Sequence, residues 1–318
     1  MKLGIDMGGM SIKMGLVNEE NKIIGRITIP TDLTVPYQTL VERMADAVRQ
    51  MLENAGMTLE QCGGIGIGSP GTIDAKQGVI LYSNNFGWEN VPIVEELKKH
   101  LDTRIEIAND ADAAALGEVC AGAAEGAENA VLLTLGTGVG SGVILDKKIF
   151  RGAMPGGCEL GHLSIRYDGI RCTCGRKGCL EAYASASALL RIAREKAAEH
   201  PESIMNEMCG NDLEQMNGKI PFDAAKAGDE AGMETVKEYE GYLACGIANV
   251  INTFRPEKVI LGGGVAAQKD NLTAPLKDLV KDMCFGGSHG HIADIVTSVL
   301  GNDAGIIGAA NLVDRKST

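Results

Sequence analysis

Two stretches of this chain are built alike: an apolar strand-like run, a glycine turn, then a second strand-like run. The first is Leu3-Gly4-Ile5-Asp6-Met7-Gly8-Gly9, resuming as Ser11-Ile12-Lys13-Met14-Gly15-Leu16-Val17. The second is Leu132-Leu133-Thr134-Leu135-Gly136-Thr137-Gly138, followed by Val139-Gly140-Ser141-Gly142-Val143-Ile144-Leu145. Apolar runs joined by tight glycine turns read as β-hairpins, and the recurrence points to an internal duplication of pattern. Strand follows both loops where a P-loop or a dinucleotide fingerprint requires a helix, which disfavours both of those architectures. A glycine turn still lets backbone N–H groups converge on a phosphate chain without interference from Cβ atoms. In the first loop, Gly8 and Gly9 suit that task, Asp6 can hold Mg²⁺ through water, and Lys13 can reach phosphate oxygens. One such loop alone is more often a plain turn. Two of them, with Gly262-Gly263-Gly264 after a third strand-like run, favour a phosphate-handling protein.

Around the hairpins, helical and strand patterns alternate. Helices are expected over 40–54, 93–101, 187–199, 230–253 and 276–283, with a helix start at 113–118 and a helical tail from Ala304. Strands are expected over 65–68, 105–108, 258–261 and 295–299. Such alternation indicates an α/β fold with mixed sheets. A chain of 318 residues accommodates two domains, each with its own core. No Pro/Ser-rich linker divides them, so a shared hinge is expected near 111–121.

Glycine is the compositional outlier, with 42 residues, as in a chain that repeatedly brings backbone close to something. The net charge of −12 argues against a nucleic-acid binder with a basic face. No apolar run approaches the roughly 20 residues that span a bilayer, and the N-terminus lacks the pattern of a signal peptide. A cytoplasmic protein without nucleic-acid or membrane partners is therefore expected. Of nine cysteines, Cys62, Cys120, Cys158, Cys209, Cys245 and Cys284 stand singly and read as small, mostly buried hydrophobes in a reducing cytosol.

The other three cysteines are clustered. Cys172-Thr173-Cys174-Gly175-Arg176-Lys177-Gly178-Cys179 places three thiols around glycine-bearing turns, and His162 lies ten residues upstream. Three Cys and one His meet the four-coordinate demand of a structural Zn²⁺ site, against the alternatives of a disulfide or inert thiols. Glu159 and His162 precede this knot and Glu181 follows it; carboxylates there can accept from vicinal hydroxyls of a hexose, or simply face solvent. Asn84 and Asn85, beside the single tryptophan Trp88, offer amides to the same end or form an ordinary loop. Finally, Asp110 stands where a strand ends and a helix begins, a usual place for ligand-facing residues in α/β sheets. A carboxylate there can take a hydroxyl proton during phosphoryl transfer, or it can cap the helix. Asn109 beside it has both a donor and an acceptor for sugar recognition.

These residues resemble a known family. Glu159-Leu160-Gly161-His162 followed by Cys172-Thr173-Cys174-Gly175-Arg176-Lys177-Gly178-Cys179-Leu180-Glu181 is similar to the ExGH and CxCGxxGCxE signatures of the ROK family of bacterial sugar kinases and repressors. Asn109-Asp110-Ala111-Asp112-Ala113-Ala114-Ala115-Leu116-Gly117-Glu118 is similar to its catalytic segment, and Leu135 to Gly142 to its second phosphate loop. The resemblance implies an actin-like ATPase (ribonuclease H-like) fold of two domains with an interdomain cleft. The small domain would span 1–116, completed by a C-terminal helix over about 303–318, and the large zinc-bearing domain 117–302. It implies an ATP-dependent hexose kinase with Asp110 as the base for the sugar 6-hydroxyl, and a homodimer. Gly71, Asn85, Asn109, Asp110, Glu159, His162 and Glu181 would contact sugar, with Asn84 the alternative to Asn85 and His162 also a zinc ligand. ATP and Mg²⁺ would be held by Asp6, Gly8, Gly9, Ser11, Lys13, Gly136, Thr137, Gly138, Gly140, Gly262, Gly263 and Gly264.

One departure stands out: the family's first loop reads DxGGT, whereas Met10 follows Gly8-Gly9 here and Ser11 must replace the threonine hydroxyl. Glucose is the expected acceptor, from likeness to the family's glucokinase signatures; fructose, allose, mannose and N-acetylmannosamine kinases share most of the motifs. A sugar-sensing regulator is the other reading, disfavoured by the early position of Asp6, which leaves no room for an N-terminal helix-turn-helix, and by the acidic charge.

Overall fold

The computed structural model describes residues 1–289 and 292–314. The chain opens with strands β1 (Lys2–Met7), β2 (Ser11–Val17) and β3 (Ile23–Pro30), then helix α1 (Tyr37–Asn54). Strands β4 (Ile65–Ser69), β5 (Thr72–Asp74), β6 (Val79–Ser83) and β7 (Trp88–Val91) lead to α2 (Ile93–Lys98), β8 (Ile105–Asn109) and α3 (Asp110–Ala121). The second hairpin is β9 (Ala130–Leu135) and β10 (Val139–Leu145), with a short β11 (Lys148–Ile149). Helices α4 (Glu181–Ala184), α5 (Ala186–Glu199), α6 (Ile204–Met208), α7 (Ile220–Lys226) and α8 (Glu230–Phe254) follow. The last elements are β12 (Lys258–Gly262), α9 (Asp270–Met283), β13 (Asp294–Thr297) and α10 (Ala304–Asn311). Three sheets result, ordered β3-β2-β1-β4-β8, β11-β10-β9-β12-β13 and β5-β6-β7.

Contacts divide the chain into two compact units, Met1–Leu132, Gly142–Cys158 and Val299–Thr318 against Leu133–Ser141 and Glu159–Ser298. The expected boundary after 116 would cut α3, which is one continuous helix packed along α10. Residues 117–132 and 142–158 accordingly group with the first unit. Of the C-terminal helix expected over about 303–318, residues 315–318 lie outside the described residues.

The first unit is built on a mixed sheet: β1 pairs antiparallel with β2, and β2 with β3, while β1–β4 and β4–β8 run parallel. Side chains alternate across a strand, and here the two faces differ sharply. Leu3, Ile5, Met7, Ile65 and Ile67 join one core with Leu40, Met44 and Val48 of α1. The other face carries Gly4 and Gly66, and α10 lies directly against it. A Cβ at Gly4 would overlap the Ile306 carbonyl, and one at Gly66 the Ala309 carbonyl. Gly117 of α3 and Gly308 of α10 meet in the same manner, against the carbonyls of Ala304 and Ala113. Part of the glycine excess thus serves backbone-to-backbone packing within the protein.

Side chains guide α10 into that bed. The fully buried Glu118 carboxylate accepts from the N–H groups of Ala123 (2.7 Å) and Leu300 (3.0 Å). Arg26 grips Asp303 through two hydrogen bonds of 2.8 and 2.7 Å.

In the second unit, β12 and β13 are parallel, and α8 packs with α4, α5, α7 and α9. The expected helices and strands are present to within a few residues, apart from α9, which starts earlier and carries Pro275 inside it. Strand β3, the β5-β6-β7 meander and the short helices α4, α6 and α7 were not read from sequence. They are too short for a period to stand out, or, in β3, alternate without a break signal at the turn.

Candidate functional site

Antiparallel register places Lys13 directly opposite Asp6 across the first hairpin. The glycine turn between them is closed by the Gly8 N–H donating to the Ser11 carbonyl at 3.0 Å. Thr31, which sequence reading missed, braces the turn from outside: its hydroxyl donates to the Gly8 carbonyl at 2.6 Å and its N–H to that of Met10. Met10 itself projects into solvent, 90 % exposed, and contributes only backbone to the turn. Asp6 points to the glycine face of the sheet, where Gly305 of α10 abuts its carboxylate.

On the same face, β8 runs into α3 beside Gly68, whose missing side chain leaves room for Ala113 and the Asp110 backbone. The cap of α3 is identified here. Asn109 is the N-cap: its side-chain oxygen accepts from the N–H of Ala111 (2.8 Å) and Asp112 (3.4 Å). Its amide donates to the Gly71 carbonyl at 3.1 Å, so Asn109 and Gly71 are joined within one unit. Gly71 has φ +113°, and a Cβ there would overlap the Tyr82 carbonyl. With the cap filled by its neighbour, Asp110 need not serve as one, although one oxygen accepts from Ala111 N–H at 2.9 Å.

Burial pushes the Asp6 carboxyl up to about 6; Lys13 opposes the shift and the charge of Asp110 adds to it. Burial also raises Asp110, against hydrogen bonds that favour its charge. Two desolvated carboxylates in mutual repulsion beside a lysine suit a divalent cation and its phosphate ligands. The sign of the shift matters. Stability from protonated Asp6 is present below its ordinary 3.8 and lost as pH rises through about 6, where the ionised form appears. Any activity that needs Asp6 ionised to hold a cation should therefore fall on acidification through about pH 6. A profile of kcat/KM from acid to neutral pH checks this, and an acid limb near pH 4 would contradict it.

Asn84 and Asn85 form the turn between β6 and β7. Asn84 accepts from the Tyr82 hydroxyl at 3.4 Å on an exposed edge, whereas the Asn85 amide lies 4.0 Å from where a Cβ at Gly9 would sit. Trp88 packs on Phe86 and Tyr37, so its part is structural.

The second unit holds the knot. Ligand atoms of His162, Cys172, Cys174 and Cys179 all lie within 4.8 Å of one another. Cys172 Sγ is 3.7 Å from His162 Nδ1, and Cys174 Sγ 3.7 Å from Cys179 Sγ. A tetrahedron with Zn–S bonds near 2.3 Å has S–S edges of about 3.8 Å, so the four atoms fit zinc. Nδ1 faces the thiols, leaving Nε2 for another partner. Burial and crowding by its neighbours push the Cys179 thiol up to about 12, so it gives up its proton at neutral pH only to a bound cation. All nine cysteines are free thiols, and Cys62, Cys209 and Cys284 are buried. Metal analysis of the native protein should return about one zinc per chain. Chelation should lower the melting temperature by roughly 5 °C or more; an unshifted, metal-free protein would remove the knot from consideration as a metal site.

Beside the knot, Glu181 begins α4 and Glu159 precedes a turn of 3₁₀ helix over Leu160–His162. The Leu160 N–H donates to Ser141 Oγ at 2.9 Å, tying that turn to β10. Loop 136–138 lies between β9 and β10 in this unit. Gly263 follows β12 with φ +81°, and a Cβ there would overlap the backbone of Leu135. That glycine is demanded by strand packing whatever else it contacts.

The family model described as ROK family matches residues 2–316. A glucokinase from Thermotoga maritima is 36% identical over 315 residues, covering 99% of this chain and 97% of its own. A glucokinase from Streptomyces griseus, solved in complex with glucose and AMPPNP, is 31% identical over 98% of both chains with a TM-score of 0.78. A ROK hexokinase from Thermus thermophilus is 32% identical over 98% of this chain and 97% of its own, with a TM-score of 0.80.

Proposed function

The chain belongs to the ROK family, and from that premise we propose that it is an ATP-dependent kinase that phosphorylates the 6-hydroxyl of glucose. Its fold is that of the actin-like ATPases, and likeness to glucokinases over nearly the whole chain supports the acceptor. The observation that carries the reading is the junction of β8 and α3, where Asn109 caps the helix and leaves Asp110 as a desolvated carboxylate near Asp6. Desolvation brings a carboxylate closer to the basicity needed to accept a hydroxyl proton as the oxygen attacks phosphorus. Asn85, Asn109 and Gly71 in the first unit, and Glu159, His162 and Glu181 in the second, are proposed partners of sugar hydroxyls. Asn85 is preferred to Asn84 because the latter is engaged by Tyr82.

For the nucleotide, Gly8, Gly9, Ser11 and Lys13, with Gly136, Thr137, Gly138, Gly140 and Gly262 to Gly264, are the proposed phosphate contacts. Asp6 is the proposed holder of Mg²⁺, which when bound would neutralise charge on the phosphates. His162, Cys172, Cys174 and Cys179 would hold a structural Zn²⁺. The proposed setting is a cytoplasmic homodimer; among the described residues no helix is long and apolar enough to cross a membrane.

The test is a coupled ADP-release assay with Mg-ATP across glucose, fructose, allose, mannose and N-acetylmannosamine. Glucose should give the highest kcat/KM. A higher value for another sugar would overturn the acceptor, and ADP release independent of any sugar would overturn the kinase.

A further inference from the structure

We infer that Glu181 is a positioning residue for the glycine loop between β9 and β10, and so sets nucleotide affinity apart from any contact it makes with sugar. The inference rests on the kinase reading and deepens it.

The loop is held by one short segment, residues 181–187. Glu181 Oε2 accepts from the Val139 N–H at 3.0 Å. The Ala186 N–H donates to the Gly136 carbonyl at 2.8 Å, and the Ser187 hydroxyl to the Thr137 carbonyl at 2.9 Å. In a trans peptide the C=O and the following N–H point in opposite directions. Drawing the carbonyls of Gly136 and Thr137 toward 186–187 therefore turns the N–H groups of Thr137 and Gly138 away from that segment. Two adjacent N–H groups aimed the same way form an anion-binding concavity. Glu181 fixes the far side of this turn, since its carboxylate holds the next N–H, that of Val139, out of the array.

The strut is anchored at its other end. Glu181 Oε1 accepts from Thr173 Oγ1 at 3.0 Å, within the knot, and lies 3.3 Å from Cys172 Sγ. The Thr173 hydroxyl is able to donate whether or not the neighbouring thiol carries a proton. A steric observation agrees independently: a Cβ at Gly138 would overlap Glu181 Oε2. Gly138 is glycine because the carboxylate packs on it, not only because phosphate must approach. Sequence pattern cannot show this, since the strut joins positions 42 residues apart.

Binding of ADP without sugar, measured by calorimetry on the zinc-loaded full chain, tests the assignment. Glu181→Ala should raise the Kd for ADP roughly tenfold. Glu181→Gln keeps an acceptor for Val139 and should stay within about threefold of the parent. Gly138→Ala, whose Cβ displaces the carboxylate, should behave like Glu181→Ala. Parental ADP affinity in both Glu181→Ala and Gly138→Ala would overturn the inference. If Glu181→Ala loses zinc, Thr173→Val, which removes the anchor of the strut and leaves every knot ligand and every proposed phosphate contact in place, decides the matter: it should raise the Kd for ADP roughly threefold or more, and parental affinity would overturn the inference. Failure of the unaltered protein to bind ADP would instead overturn the kinase reading beneath it.

Discussion

Asp110→Asn should lower kcat for sugar phosphorylation by about 10³-fold while leaving hexose affinity within roughly threefold. The substitution keeps size, and an amide oxygen can still accept from the Ala111 N–H that Asp110 engages. It removes only the basicity. Helix stability should not suffer, because Asn109 provides the cap of α3. The melting temperature should hold or rise, since burial raises the Asp110 pKa and the amide removes a desolvated charge near Asp6. Steady-state kinetics, glucose titration and a thermal melt together separate loss of chemistry from loss of structure. Near-parental kcat would end the assignment of Asp110 as base. A fall in kcat matched by a collapsed melting temperature would return Asp110 to a structural role.

Gly308→Val should abolish stable folding, with a cost above about 4 kcal/mol against a total of roughly 5–15 for ordinary domains. A Cβ at this position would overlap the main-chain carbonyl of Ala113, and backbone cannot swing aside as a long side chain can. The damage would spread, because α10 also seats on Gly4, Gly66 and Gly117 and abuts Asp6 through Gly305. Gly241 in α8 is the control. Nothing lies within 4 Å of a Cβ there, so Gly241→Ala should stabilise by about 0.5–1 kcal/mol. Urea unfolding of both variants checks the pair, and a Gly308→Val protein with a parental midpoint would mean that α10 does not pack on α3 as described.

Different parts of the molecule were legible to different degrees. The first hairpin could be read because apolar runs flank a glycine turn, and local sterics leave such a segment few other conformations. The clustering of the knot could be read because tetrahedral coordination would fix both ligand type and ligand number, and three of the candidate ligands fall within eight residues of one another. Asp110 could be found but not interpreted, since a carboxylate at a helix start serves as cap or base with the same local sequence. The role of the glycines was read only in part. Gly8 lies in a turn as expected, whereas Gly4, Gly66, Gly117 and Gly308 answer to a helix at the far end of the chain. Thr31, Glu118 and Thr173 gave no signal, because each acts through backbone or carboxylate partners that spacing along the chain does not identify.

By itself, then, the sequence determined the paired glycine hairpins, the α/β alternation and the His/Cys set that could hold a metal, all of which follow from local sterics or from coordination chemistry. Only the tertiary structure decided that Asn109 rather than Asp110 caps α3, that α10 closes the glycine face on which Asp6 and Asp110 lie, and that Glu181 joins the knot to the second loop. The choice of cap is local, two adjacent residues offering the same chemistry until the helix start is fixed; the other two share one physical reason. A hydrogen bond or a close backbone approach depends on distance in space, and residues 42 to several hundred positions apart have none until the chain has folded.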